Sequence, residues 1–197
     1  MHAIWLFVTD CGDSAVTVPL ALLTLVFLIG AGARRIARGW VLAIGGCAVA
    51  IALLKLVFGA CGQRIPLGHI VSPSGHTAMS TAIYGSLSLL VAAGLAPRRR
   101  IAVYAAASVA IIGIALSRVV LHEHNLPEVA MGWVVGAGAI AFFRSSLRPE
   151  NIPAVPLGWL LLCGVLLIAV MHGTRWMIEP AVHRLAWDFR LALPWCQ

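Results

Sequence analysis

Lys55 is the only lysine in the 197-residue chain, and it follows Ile51–Leu54 inside an apolar run. An ionisable side chain in such a run marks either a functional site or an ammonium that snorkels to an interface. Beyond it the chain reads Gly62-Gln63-Arg64-Ile65-Pro66, and Ser72-Pro73-Ser74-Gly75-His76 opens the next apolar stretch. A helix start points unpaired N–H groups and the positive end of the dipole outward, so Ser74 and Gly75 could cradle an anion. The same residues also read as an ordinary helix start, with Ser72 or Ser74 as N-cap and Pro73 in the first turn. His76 adds an acid–base group beside that cradle.

A second polar stretch runs from Ser117-Arg118 through His122-Glu123-His124-Asn125 to Glu128. Glu128 lies four residues after His124, so its carboxylate can reach the imidazole and fix the tautomer. Blander readings stand beside this one: Arg118 complements a helix end, and Asn125 with Glu128 forms a capping box. His122 and His124 as metal ligands is a third reading, although no HExxH or wider ligand cluster accompanies them. Taken together, Lys55, Arg64, Arg118 and a helix start suit the oxygens of a phosphate. One histidine can attack phosphorus while the other protonates the leaving oxygen.

The elements that must position these groups follow from composition. The chain is 61% apolar and only 11% charged, with a mean hydropathy of +0.96. A soluble domain carries about a quarter of its residues charged, so this is an integral membrane protein. The expected fold is an all-α bundle of six spanning helices in one domain, residues 1–197. The spans read as Ala15–Ala33, Gly39–Phe58, Thr77–Pro97, Ile101–Leu116, Leu126–Phe143 and Pro156–Thr174. Met1–Val8 and Trp176–Trp195 read as short interfacial segments at the two termini.

The net charge of +7 is distributed as topology requires, not as nucleic-acid binding does. Arg34, Arg35 and Arg38, then Arg98–Arg100, then Arg144 with Arg148, fill the gaps after the first, third and fifth spans. Those gaps face the cytoplasm, and no interleaved aromatics make a base-stacking surface. Lys55, His76, Arg118 and His124 therefore fall at the outer ends of the spans. Among the five cysteines, Cys47 and Cys163 read as buried hydrophobes. Cys11, Cys61 and Cys196 share the outer side, where one disulfide is open to them.

These residues resemble the motifs of the type 2 phosphatidic acid phosphatase superfamily, which includes membrane lipid phosphatases. The family pattern is a Lys, six residues, then Arg-Pro; a Pro-Ser-Gly-His; and Ser-Arg, five residues, His, three residues, Asp. Pro73-Ser74-Gly75-His76 matches the second motif, and Ser117-Arg118 with His124 matches the third, with Glu128 where Asp is usual. The first motif departs from the pattern: six residues after Lys55 stand Gly62-Gln63, and the nearest Arg and Pro are Arg64 and Pro66.

The resemblance implies a metal-independent lipid phosphatase of the bacterial inner membrane, without cofactor, working at the outer, periplasmic face. Its substrate would be a lipid phosphomonoester or pyrophosphate, such as phosphatidic acid, phosphatidylglycerol phosphate, undecaprenyl pyrophosphate or a lipid A phosphate. It implies His124 as the nucleophile that becomes a phosphohistidine, Glu128 as its orienting carboxylate and His76 as the acid. Lys55, Arg64, Ser74, Gly75 and Arg118 would hold the phosphoryl oxygens. A lipid phosphotransferase using the same site, and a non-enzymatic phospholipid-binding or transport protein, are the alternatives.

Overall fold

The computed structural model describes residues 2–61, 72–147 and 156–174, together with Trp176, Arg184, Leu185 and Asp188. Its elements are all helical: α1 (His2–Asp10), α2 (Ser14–Gly30), α3 (Arg34–Cys61), α4 (Gly75–Ala92), α5 (Pro97–Val120), α6 (Leu126–Ser146) and α7 (Leu157–Met171). Four helical stretches among the described residues are long and apolar enough to cross a membrane: His2–Gly30, Arg34–Cys61, Pro97–Val120 and Leu126–Ser146. Their outward faces carry exposed Leu22, Val26, Val49, Val109 and Val134, and α7 exposes Val165. Apolar surface on this scale is what lipid, not water, solvates.

Several helix limits differ from those read in the apolar runs. The first 10 residues hold a nine-residue helix, α1, too short to cross a bilayer core of about 30 Å by itself. Helix α3 starts at Arg34 instead of Gly39, and α5 runs over Pro97–Val120 instead of Ile101–Leu116. The arginine clusters thus end the apolar runs without ending the helices, because backbone hydrogen bonding does not require apolar side chains. Gly32, at φ 70°, reverses the chain between α2 and α3 while its N–H bonds the Ile29 carbonyl at 2.9 Å. The left-handed conformation there suits glycine, which lacks the clashing Cβ. Helix α7 has 15 residues, shorter than the expected Pro156–Thr174 span.

Helix α4 is the axis of the bundle. It packs against α2, α3, α5 and α6, and twelve of its residues are buried, among them Ser80, Ser86 and Ser88. A helix surrounded by protein can carry hydroxyls that bond back to its own carbonyls, as Ser80 does to Thr77 (3.3 Å) and Ser88 to Gly85 (2.7 Å). Helix α6 approaches α4 through Gly132 and Gly136. A β-carbon at 132 would collide with the Ser74 carbonyl oxygen, and one at 136 would stand 2.6 Å from the Ala78 carbonyl oxygen. Small residues four apart let two backbones close up in this way.

The apolar core lies toward the arginine-bearing end. Trp40 and Phe143, both buried, meet edge to face with ring centroids 5.4 Å apart, and the Trp40 indole N–H donates to the Ala21 carbonyl at 3.0 Å. Burying the ring with its one polar atom satisfied removes the usual penalty of a buried tryptophan. The polar residues are left to the other end, where α3 and α5 finish and α4 and α6 begin.

Candidate active site

The corner between α5 and α6 is built by local hydrogen bonds. Helix α5 closes at Leu121, whose N–H bonds the Ser117 carbonyl at 2.9 Å. His122 follows at φ 58°, a left-handed conformation that costs a residue with a β-carbon on the order of 1 kcal/mol. The N–H groups of Glu123 and His124 then both reach the Arg118 carbonyl, at 3.0 and 3.1 Å. His122 is exposed on this turn, whereas His124 is turned inward. Asn125 caps α6, its side chain accepting from the Glu128 N–H at 3.0 Å, and the Asn125 N–H donates to Glu128 Oε2 at 3.2 Å. The capping box is therefore real.

It is also more than a cap. Glu128 Oε2 lies 2.9 Å from His124 Nδ1, with the two side chains 6% and 7% exposed. Glu128 Oε1 accepts from the Ser72 N–H at 2.9 Å, and the Glu128 carbonyl accepts from the Ser74 N–H at 3.1 Å. One residue thus ties the His124 imidazole to the segment that starts α4. With Nδ1 engaged by the carboxylate, Nε2 becomes the nitrogen suited to nucleophilic attack.

The start of α4 meets the end of α3. Ser74, fully buried, is the N-cap of α4, accepting from the Thr77 N–H at 3.4 Å and the Thr77 hydroxyl at 3.0 Å. Lys55 is buried, and its Cε and Nζ stand 3.4 and 3.5 Å from where a β-carbon on Gly75 would lie. Glycine at 75 therefore leaves the ammonium room directly over the first turn. Arg118 is 5% exposed; it donates from Nη1 to Thr9 Oγ1 at 3.0 Å and from Nη2 lies 3.8 Å from Glu123.

The structure places His76 in the first turn of α4, with Nε2 3.4 Å from Asp13 Oδ2. Nothing in the sequence singles out Thr9 or Asp13 for the site, and Ser72 reads only as a possible N-cap. The partners of Asp13 and Ser72 are 63 and 56 residues away, so no local pattern announces the contacts. Arg64 lies outside the described residues, as do Pro66 and Cys196. Of the described cysteines, Cys61 is disulfide-bonded, whereas Cys11, Cys47 and Cys163 are free thiols. Among the described residues no group of three or more His, Cys, Asp or Glu side chains is placed to hold a metal ion.

The model of the PAP2 superfamily matches residues 58–153, which include Ser74, Gly75, His76, Arg118, His124 and Glu128; Lys55 and Asp13 precede it. A Klebsiella pneumoniae protein described as "Uncharacterized 22.5 kDa protein in cps region" is 30% identical over 140 residues, covering 71% of this chain and 67% of that protein. No solved structure matches this chain.

Proposed function

The chain belongs to the PAP2 superfamily, and from that premise we propose that it hydrolyses a phosphomonoester or pyrophosphate carried on a membrane lipid. The observation that carries the reading is the 2.9 Å contact of His124 Nδ1 with a Glu128 carboxylate that also anchors the start of α4. A nucleophile, its orienting carboxylate and an anion-binding helix start are thereby one unit.

In the proposed reaction His124 Nε2 attacks phosphorus as the bond to the leaving oxygen breaks. His76 gives that oxygen its proton. Water then attacks the phosphohistidine, a proton from it returns to the site, and phosphate leaves with His124 restored. Lys55, Arg118 and Arg64, with the Ser74 hydroxyl and the backbone N–H at Gly75, hold the non-bridging oxygens while charge spreads in the transition state. The site's place at the end of the bundle opposite the arginine clusters supports work at the outer membrane face, where a lipid head group is within reach.

The test is phosphate release by the purified protein from a panel of lipid phosphates and a polyprenyl pyrophosphate, with EDTA present. Fixed cations suffice to bind the phosphoryl group, so activity is expected to survive chelation. Loss of all activity, restored by one divalent metal, would instead assign His122 and His124 as ligands.

A further inference from the structure

We propose that Asp13 is a positioning residue for His76, and that the corner between α1 and α2 is thereby part of the catalytic apparatus. The inference rests on the hydrolase reading above and extends it to residues outside the 58–153 segment that matches the family.

The two oxygens of Asp13 have different partners. Oδ1 accepts from the Ala15 N–H at 2.8 Å, the ordinary duty of an N-cap, and also from the Trp176 N–H at 3.4 Å. Oδ2 is aimed at His76 Nε2 at 3.4 Å. Capping needs only the first oxygen, and Asn or Ser would serve it equally well. A carboxylate at a site 6% exposed is costly unless a cation or donor faces it, and His76 is the side chain that does.

The corner itself is fastened from independent directions. The Tyr84 hydroxyl donates to the Cys11 carbonyl at 2.6 Å, Gly12 lies against Ile114, and Thr9 accepts from Arg118 at 3.0 Å. The same short segment thus touches both the acid and one of the phosphate-binding cations. It is held too firmly to be a loose terminus.

The chemistry divides between the two nitrogens of His76. In the imidazolium form Nε2–H faces Asp13, and Nδ1–H goes to the leaving oxygen as its bond to phosphorus breaks. The ring is left neutral, with Nε2–H still on Asp13. A carboxylate in that position fixes which nitrogen delivers the proton. It matters only when the leaving group needs a proton: an alkoxide does, and p-nitrophenolate does not.

The experiment compares kcat/KM for dioctanoyl phosphatidate and for p-nitrophenyl phosphate in wild type, Asp13→Asn, Asp13→Glu and His76→Ala. Asn keeps the cap of α2 and removes the charge, so the helix start is preserved. Asp13→Asn is expected to lower the alkyl phosphate value at least tenfold more than the aryl value, a part of the factor of about 10²–10⁴ that a general acid supplies. His76→Ala should show the same bias, Asp13→Glu should recover part of it, and Asp13→Asn combined with His76→Ala should lose little beyond His76→Ala. Equal losses on the two substrates would make Asp13 a cap and nothing more, and no loss on either would overturn the proposal outright. Failure of the wild type to hydrolyse the phosphatidate or any other lipid phosphate would refute the hydrolase reading itself, an outcome visible before any Asp13 variant is made.

Discussion

Glu128 uses three oxygens at once: Oε1 on Ser72, Oε2 on His124 and Asn125, and its carbonyl on Ser74. Aspartate would shorten the side chain by one carbon–carbon bond, about 1.5 Å, and could not span Ser72 and His124 together. We therefore expect Glu128→Asp to lose several-fold in kcat although it restores the residue usual in the family. Glu128→Gln should lose about ten- to a hundredfold, by analogy with the carboxylates behind metal-ligating histidines. Steady-state kinetics on one lipid phosphate measure both, and a Glu128→Asp variant faster than wild type would show that the Ser72 contact is idle. At this scale the sequence is legible where partners are close in the chain. His124, Asn125 and Glu128 sit within five positions, so spacing alone predicts their contacts. Thr9 and Arg118 are 109 residues apart, and only the fold brings them together.

Helix pairing decides whether those contacts survive. Gly132 lies one turn below Glu128 and has the Ser74 carbonyl against the place a β-carbon would take. Since that obstacle is backbone, Gly132→Ala must push α6 from α4 and stretch the Ser74–Glu128 hydrogen bond. The expected cost is about 1–3 kcal/mol, the usual scale for overpacking, seen as a lower Tm in detergent together with reduced turnover. Gly138, with open space around it, is the control: alanine there should leave Tm within error or raise it. Equal effects at 132 and 138 would contradict the packing account. Apolar run length predicts most helices but misplaces the ends of α3 and α5, because exposed arginines continue a helix that leaves the hydrocarbon. It also carries no sign that α4 is the central helix, where Ser80 and Ser88 bond back to carbonyls of its own turns.

Charge orders the whole molecule. Arg34, Arg35 and Arg38 at the start of α3, Arg98–Arg100 at the start of α5 and Arg144 at the end of α6 all sit opposite the end that holds His76 and His124. By the positive-inside rule, the site is proposed to face outward. In a background with Cys11, Cys47 and Cys163 replaced by alanine, His122→Cys should react with a membrane-impermeant maleimide on intact cells, and Arg99→Cys only after lysis. The reverse pattern would invert the topology. The central claim, that His124 carries the phosphoryl group between lipid and water, has a more direct measurement. Rapid acid-free quenching of wild type during turnover of a ³²P-labelled lipid phosphate should trap label on the protein, stable to base, labile to acid and located at His124. His124→Ala should insert normally, trap nothing and release no phosphate. Turnover near the wild-type rate in His124→Ala would contradict the account.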